Sequence, residues 1–143
     1  MQHPKAFTDI AENLGFLDDW EDRYRYLIEL GQALPPLPDA DRTAENKVHG
    51  CASQVWLASD TAPAVRQPTL HFRGDSDALI VKGLVAILIA LYSDRPAAEI
   101  AATDATTVFD ELGLREHLTT QRANGVAAMV KRIRGEAAAA LAA

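Results

Sequence analysis

The stretch Thr69-Leu70-His71-Phe72-Arg73-Gly74-Asp75-Ser76-Asp77-Ala78-Leu79-Ile80-Val81, which runs on into Gly83–Tyr92, decides the class of fold. Leu70 and Phe72 alternate with Thr69, His71 and Arg73, the period of two that marks a strand with one buried face. Gly74-Asp75-Ser76-Asp77 has the composition of a turn and predicts a reversal before another strand over Ala78–Val81. Upstream, Gln54–Ser59 sets Val55 and Leu57 on one side of a strand and Trp56 on the other. Short connections make an antiparallel meander of about three strands the simplest pairing. Gly83–Tyr92 is apolar nearly all round, as suits a helix enclosed by a core.

Helical patterns lie on both sides of this middle. Phe7, Ile10 and Leu14 share a face of a short helix, and Trp20, Tyr24, Leu27, Ile28 and Leu34 mark a longer one. That second helix must stop near Leu34, because Pro35 and Pro36 remove two donors. Leu37–Gly50 has no period and reads as a loop. Ala97–Ala102 and Thr106–Leu112 predict short helices, the latter ended by Gly113. Val126, Met129, Val130, Ile133, Ala137 and Leu141 stripe a long last helix. Helices, a small antiparallel sheet and helices again predict an α+β fold, with helices packed on one face of the sheet. The 143 residues, without repeat or low-complexity linker, predict a single domain over 1–143.

Twenty acids against fourteen bases leave a net charge of -6, which argues against nucleic acid as a partner. Lys131, Arg132 and Arg134 read as a solvated helix face. Met1-Gln2-His3-Pro4-Lys5 lacks the features of a signal peptide, and the longest apolar run, Ala78–Tyr92, is too short to span a bilayer. The expectation is a cytoplasmic protein with no membrane association. One cysteine allows neither an internal disulfide nor a cysteine-rich metal site. Sulfur or redox chemistry at Cys51 therefore needs a second molecule.

Around that cysteine the chain reads Asn46-Lys47-Val48-His49-Gly50-Cys51-Ala52-Ser53-Gln54-Val55-Trp56. Gly50 permits backbone angles closed to other residues and leaves room beside the sulfur. Cys51 falls between a loop and a strand, where a side chain can be presented to a partner. By composition alone a lone cysteine is as a rule a small buried hydrophobe.

The segment Gly50-Cys51-Ala52-Ser53-Gln54-Val55-Trp56 resembles the active-site motif of the SufE family of sulfur acceptors. Three further blocks are similar to that family and occur in its order. They are Trp20-Glu21-Asp22-Arg23-Tyr24 with Ile28-Glu29-Leu30-Gly31-Gln32, then Gly74-Asp75-Ser76-Asp77-Ala78 through Val81-Lys82-Gly83-Leu84, then His117-Leu118 with Arg122 and Asn124-Gly125. The resemblance covers nearly the whole chain and implies an α+β fold related to that of iron–sulfur scaffold proteins. It differs at Ala52, where typical members have Gln. The scaffold relatives use three cysteines; one cysteine here implies transfer of sulfur and not cluster building.

The resemblance further implies that Cys51 accepts sulfur from a type-II cysteine desulfurase, stimulates it, and passes the sulfur to an iron–sulfur scaffold complex. The chain itself would need no cofactor and no metal; the pyridoxal phosphate belongs to the desulfurase. Arg122 matches a family position near the cysteine loop, where it would stabilise the thiolate or contact the desulfurase; otherwise it is a surface charge. Asp77 is explained by its turn, and the resemblance adds a role in steadying the cysteine loop. His49 is either a base for the thiol or a solvated loop histidine. Trp56 reads as a core anchor, and Val48, Val55 and Trp56 as apolar cover over Cys51. The alternatives are an acceptor for a paralogous desulfurase, a regulatory adaptor that carries no sulfur, and a cysteine hydrolase, the last poorly served by His3, His71 and His117. Monomer and homodimer both stay open.

Overall fold

A computed structural model describes residues 3–63, 67–114 and 118–143. His117, one of the residues behind the resemblance, lies outside these. In chain order the described elements are α1 (Lys5–Gly15), α2 (Trp20–Gln32), a short 3-10 turn (Asp39–Asp41), β1 (Val55–Ala62), β2 (Thr69–Ser76), α3 (Leu79–Tyr92), β3 (Arg95–Pro96), α4 (Ala97–Ala102), α5 (Ala105–Glu111) and α6 (Thr120–Ala142). The three strands form one antiparallel sheet in the order β1-β2-β3. The fold is α+β, as the order of patterns predicted.

The β1–β2 register runs from Val55↔Ser76 to Ala62↔Thr69. Val55 and Leu57 of β1, and Leu70 and Phe72 of β2, are buried on one face. Against that face lies α3, buried on almost every side and packed on α1, α2 and α6 as well. It crosses α2 closely: a Cβ on Gly83 would stand 2.1 Å from the Leu27 carbonyl oxygen. The opposite face carries Trp56, Asp60, Arg73 and Asp75. There the Arg42 guanidinium sits 5.1 Å from the centre of the Trp56 ring and pairs with Asp75, while Arg73 pairs with Asp41 and Asp60. The loop before Cys51 is thus strapped across the polar side of the sheet.

Two readings of the central stretch are corrected. Ala78–Val81 is not a strand: α3 starts at Leu79, and the third strand is the two-residue β3. A short apolar run does not distinguish a buried strand from a helix enclosed on all sides, because neither shows polar alternation. Nor is Gly74-Asp75-Ser76-Asp77 a tight turn, since β2 continues through Ser76. Gly74 serves close packing: a Cβ there would lie 2.8 Å from Val85 and 2.9 Å from Leu57 side-chain carbons. Asp75 is a buried carboxylate, paired with Arg42 and, at 3.3 Å, with Lys82. Burial alone would raise its pKa. The Ser76 N–H, Arg42 and Lys82 outweigh that and hold it below the usual value.

Candidate functional site

The approach to Cys51 is built by backbone pairing. Lys47 bridges Trp56, the Val48 N–H donates to the Val55 carbonyl at 2.9 Å, and the Leu57 N–H donates to the Asn46 carbonyl at 2.8 Å. This short ribbon covers the open edge of β1. At its end Gly50 takes φ 95°, in the left-handed region, and turns the chain so that Cys51 meets α6. The return is held at Gln54, whose N–H donates to Asp77 Oδ1 at 2.9 Å and whose carbonyl accepts from the Asp77 N–H at 3.3 Å. Asp77 thus reaches the cysteine loop by its side chain and its backbone.

Cys51 is half-buried. Its Sγ lies 3.6 Å from the Gly125 carbonyl oxygen in the first turns of α6. A Cβ on Gly125 would stand 3.4 Å from that sulfur, in ordinary van der Waals contact, so the loop lies directly against this turn of the helix. A cavity of about 490 Å³ opens beside the thiol. Its walls come from α2 (Ile28), α3 (Leu79 and Leu84) and α6 (Arg122 and Met129), together with Ala52. Leu79 is 60% exposed, an apolar side chain standing free beside a reactive atom. The expected cover from Val48, Val55 and Trp56 does not line this cavity; Val48 and Val55 belong to the core, and Trp56 lies under Arg42 on the other face.

Burial pushes the Cys51 thiol above its ordinary pKa, so less thiolate is present at neutral pH than in a free peptide. The structure brings Cys51, Gly50 and Arg122 to one place. His49 is exposed and borders a different groove, with Lys47 and Lys131. Gly125, Leu79 and Met129 were not singled out as site residues from sequence. Asn124-Gly125 entered only through the resemblance, and no signal in the sequence marked Leu79 or Met129 as neighbours of the thiol. Among the described residues no three His, Cys, Asp or Glu side chains gather as metal ligands would, and no helix is long and apolar enough to cross a membrane.

The fold matches the solution structure of a hypothetical protein from Thermus thermophilus, with TM-score 0.76 and 19% identity over 99% of this chain and 100% of that one. An uncharacterized SufE-like protein of Rhizobium etli is 59% identical over 132 residues, 92% of this chain and 89% of that protein. An uncharacterized SufE-like protein of Rhizobium meliloti is 53% identical over 132 residues, 92% of this chain and 94% of that protein. The model of the SufE family, an Fe-S metabolism associated domain, matches residues 8–137. From Thr8 to Ala137, cysteine loop and cavity included, the chain belongs to the SufE family.

Proposed function

We propose that this protein is a persulfide carrier. Cys51 takes sulfur from a type-II cysteine desulfurase and delivers it to an iron–sulfur scaffold complex in the cytoplasm. The observation that carries the reading is a single thiol, half-buried beside a cavity edged by an exposed leucine and an arginine, in a SufE-family chain.

In the transfer the Cys51 thiol loses its proton and the thiolate attacks the outer sulfur of the donor's persulfide. The donor's S–S bond breaks, its electron pair leaves with the donor thiolate, and a new S–S bond forms at Cys51. One disulfide-type bond is exchanged for another, so no oxidant or reductant is consumed. With no second cysteine to resolve it, the product is discharged on a second molecule. Arg122 lines the same cavity and is the cation assigned, on this reading, to meet the thiolate or the incoming partner. The pyridoxal phosphate that frees the sulfur stays with the desulfurase, and the carrier works without cofactor or metal of its own.

The test is intact-protein mass spectrometry after incubation with a desulfurase, pyridoxal phosphate and cysteine. Sulfur should be added at Cys51 alone and removed by dithiothreitol. Cys51→Ser should gain none and should not accelerate the desulfurase. Full stimulation by Cys51→Ser would support a regulatory adaptor instead.

A further inference from the structure

The side of the cysteine loop turned away from the cavity carries a groove along α6, floored by Ala128 and Gly135 and edged by Lys47, His49, Lys131 and Arg132. Three cations face one acid there, Glu136, in a chain whose net charge is -6. Arg132 is engaged: its Nε donates to Glu136 Oε1 at 2.9 Å and its Nη2 to the Glu45 carbonyl at 2.8 Å. Lys47 and Lys131 pair with no acidic side chain among the described residues. The neighbouring Arg134, read from sequence as part of the same solvated face, is turned away and donates twice to the Ala101 carbonyl.

We infer that this groove docks an acidic peptide segment of a protein partner. The small floor residues allow a backbone to lie close. The two lysines, one from the loop ribbon and one from α6, suit carboxylates on that segment. A peptide suits the groove better than a simple polyanion, because the small residues Ala128 and Gly135 admit an extended backbone and Glu136 sets an acid among the cations.

The groove and the Cys51 cavity share one helix. A Cβ on Gly50 would meet Ala128 of the groove at 3.3 Å, and Gly125, one turn earlier, meets Cys51. A segment lying in the groove therefore contacts the loop at His49, two residues before the thiol. The inference concerns binding and does not depend on the sulfur-transfer reading. It can fail while Cys51 still carries sulfur, and hold if Cys51 carries none.

The probe is a short labelled peptide of alternating glutamate and glycine, followed by anisotropy and by amide shifts of the full chain. Shifts should centre on Lys47, His49 and Lys131, and affinity should fall with added salt. Lys47→Glu with Lys131→Glu should weaken binding about tenfold while the amide spectrum keeps its native dispersion. The glutamine counterpart of the peptide should not bind. Unchanged affinity in the double variant, shifts centred elsewhere, or equal binding of inorganic phosphate or a single-stranded oligonucleotide in the groove would overturn the inference.

Discussion

The sulfur of Cys51 rests 3.6 Å from the backbone carbonyl of Gly125, the contact by which the cysteine loop meets α6. A carbonyl oxygen is a hydrogen-bond acceptor and carries partial negative charge. It favours the thiol, which can donate, over the thiolate, which cannot. Resting geometry and burial therefore act in the same direction, toward a protonated and quiet cysteine.

Alkylation by iodoacetamide reports this directly, because only the thiolate reacts. With the pKa raised, the thiolate fraction at neutral pH falls. The rate should be several-fold below that of a free cysteine peptide and should keep rising with pH after the peptide's rate has levelled. A pH profile superimposable on the peptide's would contradict the burial of Cys51. An inactive desulfurase that opens the loop should move the profile toward the peptide's.

Asp77 holds the far end of that loop through the Gln54 N–H. Asp77→Ala removes the acceptor, worth about 1 kcal/mol, and should speed alkylation of Cys51 about fivefold. Asp77→Asn keeps an oxygen in place and should stay near wild type. Identical rates in all three proteins would show that the loop is held elsewhere.

Asp75 should matter to folding and to acid stability. Breaking a buried ion pair costs about 3–5 kcal/mol, and less where the cations can rehydrate, as the partly exposed Arg42 and Lys82 can. Asp75→Asn should therefore lose about 2 kcal/mol in urea unfolding at neutral pH. Because the folded carboxyl titrates below its unfolded value, the wild type has this contribution above about pH 4 and loses it as the pH falls through the depressed pKa. The gap between the two proteins should narrow on acidification. A gap constant down to strongly acidic pH would assign the effect to shape rather than charge.

Gly83→Ala puts a carbon 2.1 Å from the Leu27 oxygen, where only separation of the α2 and α3 backbones can relieve it. Overpacking of this kind should cost about 3 kcal/mol or more. Gly15→Ala, where no atom lies within 4 Å, is the matched control and should be neutral or stabilising. Similar unfolding midpoints for both would place the helix crossing elsewhere.

How much of this was legible in the sequence varies along the chain. Alternation placed Val55, Leu57, Leu70 and Phe72 on the buried face, because a half-exposed sheet writes its two sides into every second residue. The start of α3 was not legible. Leu79–Val81 is apolar at every position although only Val81 is buried, so nothing in its pattern marks the helix. Asp75 misled for a related reason: beside Gly74 it looked like turn chemistry, while the cations that explain it lie at Arg42 and Lys82 and meet it only after folding. At the site, Cys51 stood out through its neighbours. The walls of its cavity come from three helices, and nothing adjacent in sequence announces that Ile28, Leu79 and Met129 converge there.

The size of the cavity beside Cys51 has a consequence of its own. One added sulfur atom is on the scale of a water molecule's share of the liquid, about 30 Å³. At about 490 Å³ the cavity is more than ten times what the cargo needs. Its apolar walls are left unpacked against one another, and that is packing energy the fold forgoes. Selection for heat resistance alone should then favour bulkier side chains at Ala52 and Ala78, which border the cavity, and the hardier proteins should deliver sulfur poorly. On the carrier reading, the molecule is kept softer than its own core requires where the donor's sulfur would enter.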